Sequence, residues 1–205
     1  MRHILGLFLV LALVSDGRAA IIAFTDQGVG TGTIGNLAFT NTPFTITAQA
    51  NTANRLFSSF DMAYSEDNDT AQITLNGIGT YQFITGTRFF VSHISPFDVG
   101  FSRAGLDGYD LFDGPGNIAF QQWNMLSPIG PITGFAQLEQ WSAFPVITTG
   151  GVLDFNNDGN THATFTARLV PEPNGGVIGG IAGVLGILLL GRSRPGLRCI
   201  SRRSL

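Results

Sequence analysis

The chain has 205 residues, enough for one domain with accessory segments, and it contains no lysine and a single cysteine, Cys199. Between residues 20 and 170, twelve acidic side chains stand against four arginines, which leaves this part with a net charge of −8. A surface this acidic repels phosphate backbones and argues against nucleic acid as a partner. The position of the cysteine, in the C-terminal tail, argues against disulfides and thiol-based metal sites in the rest of the chain.

The first 19 residues have the pattern of a signal peptide. Arg2 and His3 form a short basic start, residues 4–14 are apolar, and small residues follow around Ala19. An apolar run of this length is too short to span a bilayer, whereas small residues after it fit the pocket of signal peptidase. The sequence therefore predicts export, with cleavage after residue 19 or 20.

Residues 20–169 alternate between apolar and polar side chains with a period of two. Phe44, Ile46, Ala48 and Ala50 alternate with threonine and glutamine, and residues 71–75 and 163–169 repeat the pattern. Side chains on a strand point alternately to opposite faces, so each run predicts a strand with one buried face and one solvent-exposed face. Turn signals such as Asn-Gly and Asp-Gly separate these runs. The pattern predicts one all-β domain, an antiparallel β-sandwich or jelly roll, with short helical turns near residues 53–60 and 135–141.

Two acidic loops in this domain are candidates for calcium. Asp154, Asn156 and Asp158, followed by Gly159, match the opening of a calcium-binding loop, in which oxygen ligands alternate. The twelfth position of that loop is Phe165 instead of a bidentate glutamate, so a plain hairpin turn is the competing interpretation. The second acidic loop contains Asp107, Asp110 and Asp113. Calcium is the only cofactor that the sequence suggests.

The tryptophans, two of the glutamates and the histidines also have side chains that can bind ligands or take part in catalysis. Trp123 and Trp141 are candidates for stacking on sugar rings if they are exposed, although most tryptophans are largely buried. Glu66 and Glu139 are a candidate carboxylate pair of a glycosidase. His93 and His162 lack the spacing of a zinc site, and no nucleophile-elbow motif is present. The sequence therefore favours a protein without catalytic residues.

The C-terminal segment follows a three-part pattern. Pro171, Glu172 and Pro173 predict a stiff extended segment, because the two prolines fix φ and remove two amide donors. Residues 175–191 carry no charge, and as a helix they would extend about 25 Å, close to the length needed to cross a membrane. The arginines of residues 192–203 follow at once: Arg192, Arg194, Arg198, Arg202 and Arg203. The positive-inside rule places this tail in the cytoplasm and the β-domain outside.

This order of VPEP, hydrophobic segment and arginine cluster resembles the PEP-CTERM sorting signal of Gram-negative bacteria, over residues 170–203. The resemblance implies recognition by an exosortase, a membrane protease or transpeptidase that would cut near residues 171–173 and release or re-anchor the exported part. It also implies an association with exopolysaccharide and with biofilm or envelope systems. Gly175 and Gly176 invite comparison with the GlyGly-CTERM signal, and a permanent, uncleaved anchor is the remaining alternative.

Together these patterns predict an exported, non-catalytic protein of the envelope or extracellular matrix. It would be a transient single-pass membrane protein that ends at the cell surface or outside the cell. Its predicted partners are signal peptidase, an exosortase, the membrane and exopolysaccharide. The alternatives are a carbohydrate-binding or calcium-assisted adhesion module that uses the tryptophans and acidic loops, and a secreted hydrolase.

Overall fold

A computed structural model describes residues 20–105, 109–156 and 159–171, and these residues form strands, turns and two short 3-10 helices. The 3-10 helices are Thr52–Asn54 and Ile118–Gln122. The thirteen strands are β1 Ile21–Ile34, β2 Leu37–Asn51, β3 Leu56–Ser58, β4 Ala63–Asp67, β5 Thr70–Leu75, β6 Gly79–Gln82, β7 Thr87–Ser92, β8 Asp98–Arg103, β9 Asp110–Gly116, β10 Ile129–Leu138, β11 Val146–Thr148, β12 Gly151–Phe155 and β13 Gly159–Val170. The all-β prediction is confirmed.

All thirteen strands belong to one antiparallel sheet. Its main order is β3-β4-β7-β8-β9-β10-β13-β1-β2-β5-β6, and β12 pairs with the second half of β1 and with β11. The predicted alternation is seen directly on β2, β5 and β13, where Phe44, Ile46, Ile73 and Phe165 are buried and the polar residues between the buried positions are not, although Leu169 near the end of β13 is 39% exposed. The strands form where period-two sequences can bury one face.

The sheet folds over so that its two halves face each other across the core. The ring centroids of Phe24 on β1 and Phe89 on β7 lie 4.8 Å apart, although five strand pairings separate β1 from β7. Phe44 on β2 and Phe112 on β9 make a similar contact at 5.2 Å. The core is therefore sandwich-like, with aromatic side chains of two layers interdigitating as facing sheets do, but the layers are continuous with each other.

The two edge strands of the main order are β6 and β3. The chain directly after β6 pairs with β11, and β3 is short. Phe83, directly after β6, forms a bridge with Thr148 of β11, and the amide of Ile84 donates to the carbonyl of Ile147 at 2.8 Å. The opposite edge is β3, with only three residues. Both features limit the exposed backbone that a second chain could pair with.

The helical turns that the sequence predicted are largely wrong. Near residues 53–60 a single 3-10 turn is followed at once by β3, and residues 135–138 belong to the long strand β10. Phe135 and Leu138 have a spacing that suits a helix, but pairing of this segment with β13 and β9 satisfies its backbone in the sheet instead.

The core that the described residues form runs from Ile22 to Ala167, so residues 20–171 contain a core of their own on which to fold. The predicted signal peptide, the hydrophobic segment 175–191, the arginine tail and the residues Glu172 and Pro173 lie outside the described part of the chain. Within the described residues, no helix has the length and apolar character needed to cross a membrane.

Candidate binding groove

A groove of about 630 Å³ lies on the outer face of β4, β7, β8 and β9, beside the edge strand β3. Its floor carries the side chains that point away from the core on these strands. Its polar and aromatic lining consists of four carboxyls, five serines, one arginine and two aromatic rings: Asp61, Asp98, Asp110, Asp113, Ser58, Ser65, Ser92, Ser95, Ser102, Arg88, Phe57 and Phe90. The groove thus combines hydrogen-bonding groups with apolar surface, as ligand sites do.

An irregularity in β9 brings Asp110 and Asp113 onto the same face. A spacing of three residues would place them on opposite faces of a regular strand. Asp110 is opposite Ser102 and Phe112 is opposite Phe101, so Leu111 is an extra residue in β9. Leu111 and Phe112 are both buried. This β-bulge turns Asp110 and Asp113 toward the groove, which is a known use of bulges near functional sites.

A second irregularity places Asp98 beside them. Asp98 is opposite Gly116 and Gly100 is opposite Asp113, so β9 again contributes one extra residue between these pairs. Asp98, Gly100 and Ser102 alternate on β8 with buried Val99 and Phe101 and therefore share the outer face. The two bulges collect three carboxyls on two neighbouring strands.

Phe90 lies across the floor of the groove because residue 100 is a glycine. A Cβ atom at Gly100 would overlap Cζ of Phe90 and would also approach the carbonyl oxygen of Phe112 to 3.0 Å. The absence of a side chain at this position lets the ring of Phe90 settle on the sheet between Asp98 and Ser102. The result is a half-buried aromatic surface bordered by carboxyls and hydroxyls.

Burial and mutual repulsion raise the pKa of all three carboxyls. Burial raises the pKa of Asp98 to about 6, and the charge of Glu139 adds to the effect. Burial, Glu139 and Asp98 raise the pKa of Asp110 to about 6, which Arg88 partly opposes. The largest shift is at Asp113, where burial and then Asp98, Asp110 and Glu139 raise the pKa to about 8. At neutral pH the cluster therefore holds a proton on Asp113.

Arg88 provides the positive charge of the groove. Its Nε lies 3.3 Å from Oδ1 of Asp67 on the neighbouring strand. Because Asp67 is 60% exposed, water screens this pair and it adds little to stability. A guanidinium held beside hydroxyls and carboxyls can donate to oxygen atoms of a ligand.

The calcium prediction is not decided by the described residues. Asp154 is half-buried on β12 opposite Thr33, and Asn156 is exposed after the end of that strand. Asp158 and Asp107 lie outside the described part of the chain, while Phe165 is fully buried in β13. Within the residues that are described, no three His, Cys, Asp or Glu side chains come together in a way that could hold a metal ion.

Both tryptophans proposed for sugar stacking belong to the core, so that prediction is wrong. Trp141 is 0% exposed and packs against Phe155 at 4.9 Å between ring centroids. Trp123 is 5% exposed, packs against Phe165, and donates from Nε1 to the carbonyl of Ser127 at 2.8 Å. Large aromatic rings bury the most apolar surface, and this fold uses them for its core.

Glu66 and Glu139 are not brought together as a pair. Glu66 on β4 is opposite the buried Phe89 and points away from the groove, where burial raises its pKa to about 7 against the lowering effect of Arg55. Glu139 follows β10, and its amide donates to the carbonyl of Leu111 at 2.9 Å. Its charge acts on the aspartates of the groove instead.

The histidines lie apart from the groove lining. Nε2 of His93 lies 2.9 Å from the carbonyl oxygen of Trp123, and its ring meets Tyr64 edge-on. His162 is exposed on β13 opposite Phe135. Neither side chain contributes to the carboxyl cluster.

A comparison with protein-family models, curated proteins and solved structures finds no match to this chain.

Proposed function

We propose that the chain is an exported envelope protein that an exosortase processes at its C-terminal sorting signal. The support is the sequence itself: Pro171, Glu172 and Pro173, the hydrophobic segment 175–191 and the arginines after it. The described domain ends at residue 171, so cleavage near this point would release it with its core intact.

This processing predicts a mature C-terminus close to residues 171–173 in the native host. Mass spectrometry of the protein recovered from cells and medium would identify that terminus. Replacing Pro171, Glu172 and Pro173 with alanine should leave the full-length chain in the membrane fraction. A native protein that retains its arginine tail would instead identify the segment as a permanent anchor.

For the exported domain we propose non-catalytic binding of a saccharide in the groove. The observation that carries this proposal is the ring of Phe90, which lies over Gly100 among carboxyls and serine hydroxyls. A sugar presents an apolar face of C–H groups and a rim of hydroxyls. The ring offers a surface for the apolar face, and the surrounding oxygen and nitrogen atoms offer partners for the rim.

The charge of the groove narrows the class of saccharide. The charges of Asp98, Asp110 and the nearby Glu139 would repel a carboxylated or sulfated sugar. A neutral sugar avoids this repulsion, and an amino sugar would pair with a carboxylate. The proposed ligand is therefore a neutral or amine-bearing unit of the host's own exopolysaccharide.

Binding of the purified domain, residues 20–171, to that exopolysaccharide tests the proposal. Phe90→Ala removes the aromatic surface and should weaken binding by about tenfold, the loss expected for about 1.4 kcal/mol. Ile84→Ala, which truncates an exposed apolar side chain outside the groove, is the matched control. Equal binding by both variants, each with an unchanged melting temperature, would contradict a saccharide site in the groove.

A second candidate function is hydrolysis of a glycosidic bond. The observation that favours it is the difference in pKa between Asp113, at about 8, and Asp98, at about 6. A protonated carboxyl beside an ionised one is the arrangement that glycosidases use for acid and base roles. A substitution of Asp113 distinguishes hydrolysis from binding alone, because only hydrolysis needs the proton of this carboxyl.

A further inference from the structure

A second outer face of the domain carries an ordered array of threonine and glutamine. It lies on β13, β1, β2, β5 and β6, on the side of these strands that faces away from the core. Strand pairing aligns these residues in three rows, with members directly opposite each other on neighbouring strands. The rows are Thr164, Gln27, Thr45, Thr74 and Thr80; Thr166, Thr25, Thr47, Gln72 and Gln82; and Arg168, Ala23, Gln49 and Thr70.

We call this array the Thr/Gln face; twelve of its fourteen positions are threonine or glutamine. None is acidic, although residues 20–170 contain twelve acidic side chains in all. Arg168, at one end of the third row, is its only charged member. Large apolar side chains are also missing from these positions, so the face lacks the anchors that protein partners use.

The Thr/Gln face has a depression over its second and third rows, where they cross β1, β2 and β5. A cavity of about 420 Å³ lies over Ala23, whose methyl group is shorter than the side chains around it. Thr25, Thr47, Gln49 and Gln72 are among the residues that border it. The face is therefore a shallow dish, floored by alanine and rimmed by hydroxyls and amides.

Some polar groups of the Thr/Gln face are already paired with each other, and others remain available to a ligand. Thr74 and Thr80 bond to each other at 2.8 Å, and Nε2 of Gln82 donates to Oε1 of Gln72 at 2.8 Å. The hydroxyls of Thr25 and Thr47 form no hydrogen bond with another described residue. Hydroxyls and amides each donate and accept, so they can match the hydroxyls of a sugar without any charge.

We propose that the Thr/Gln face binds an extended, uncharged polysaccharide chain. Equivalent residues recur at the strand spacing of about 4.8 Å, so a ligand with a short repeat can meet the same groups again on each strand. The net charge of the domain disfavours acidic polysaccharides. The face lacks aromatic rings, and its ligand is therefore held by hydrogen bonds across the dish.

This site is separate from the groove. Phe24 and Phe89 meet in the core, so their neighbours Ala23 and Arg88 point to opposite sides of the domain. The inference does not depend on what the groove binds. If both sites hold saccharide, one domain would join two polysaccharide chains.

Affinity electrophoresis of the domain in gels that contain hydroxyethyl cellulose, with alginate gels for comparison, tests this proposal. We expect retardation by the neutral polymer and none by alginate. Ala23→Arg fills the dish and should weaken retardation by about tenfold. Ala143→Arg, the same change at an exposed turn position, should leave retardation unchanged.

The paired substitutions Thr25→Val and Thr47→Val provide a second measurement. They remove two hydroxyls while keeping side-chain shape and suiting a strand, so the domain stays folded, and retardation should again fall. Retardation that survives Ala23→Arg and the valine variant but disappears in Phe90→Ala would assign the binding to the groove and overturn the inference. A wild-type domain that hydroxyethyl cellulose does not retard would overturn it as well.

Discussion

Replacing Asp26 with valine is expected to stabilise the domain by about 1–3 kcal/mol near pH 8. Asp26 lies on the inward face of β1, opposite Ile46 of β2 and Phe165 of β13, and its side chain is 0% exposed. Neither carboxylate oxygen has a hydrogen-bond partner of good geometry among the described residues, and the backbone amide of Gln27 only partly offsets the effect of burial on the pKa of this carboxyl. Valine fills a similar volume, favours the strand conformation and needs no partner.

The gain should depend on pH, because burial raises the pKa of Asp26 well above its ordinary value of 3.8. The folded domain therefore binds a proton that the unfolded chain releases above about pH 4. Stability is highest below that pH and decreases as the pH rises toward the folded-state pKa. Thermal unfolding of the wild type should give a lower melting temperature at pH 8 than at pH 5.

Asp26→Val should make this pH dependence smaller, and its stabilisation should be larger at pH 8 than at pH 5. Asp26→Asn is the control for charge alone, because it removes the carboxylate but leaves a buried polar group without a partner. Its stability at pH 8 should lie below that of the valine variant. A valine variant that melts below the wild type at both pH values would contradict an unpaired carboxyl at this position.

The sequence contains a local signal for the burial of Asp26. Ile22, Phe24 and Asp26 are alternate residues of β1, so their side chains lie on the same face of the strand. The alternation that predicts the strand therefore also predicts that the side chain of Asp26 points into the core. The same reasoning applies to Asp98, which alternates along β8 with Gly100 and Ser102 and therefore lies with them on the outer face of the strand. Local periodicity is sufficient for such assignments, and it correctly predicted strands at residues 44–50, 71–75 and 163–169 and the all-β class.

The composition of the groove required information that local patterns do not hold. Asp110 and Asp113 share a face only because Leu111 is bulged, and a bulge depends on how the partner strand pairs. Asp98 joins them through pairing of β8 with β9, and Phe90 is placed by a glycine on the neighbouring strand. These relations are set by tertiary contacts and not by spacing along the chain.

The prediction for the tryptophans failed for a related reason. The sequence has seventeen phenylalanines and two tryptophans, and its composition does not indicate which of these rings are buried. The folded sheet exposes Phe57, Phe60 and Phe135 and buries both indoles. Which aromatic residues are buried depends on how the two layers meet, and composition cannot rank them.

Replacing Asp113 with asparagine should leave saccharide binding within about threefold of the wild type at pH 7 if the groove only binds. Burial and the charges of Asp98, Asp110 and Glu139 raise the pKa of Asp113 to about 8, so this carboxyl is mainly protonated at pH 7. Asparagine keeps its shape, a donor and an acceptor. The variant also removes a carboxyl whose folded-state pKa is raised, so the decline in stability between about pH 4 and pH 8 should become smaller.

The same variant gives the opposite result if the groove hydrolyses glycosidic bonds. An asparagine cannot supply the proton that a leaving group needs, and loss of a general acid typically lowers the rate by a factor of about 10²–10⁴. For a binding module we expect that neither wild type nor Asp113→Asn releases reducing ends from the host exopolysaccharide, while both retain it. Release by the wild type that disappears in Asp113→Asn, with binding preserved, would contradict the non-catalytic proposal and make Asp113 the general acid of a glycosidase.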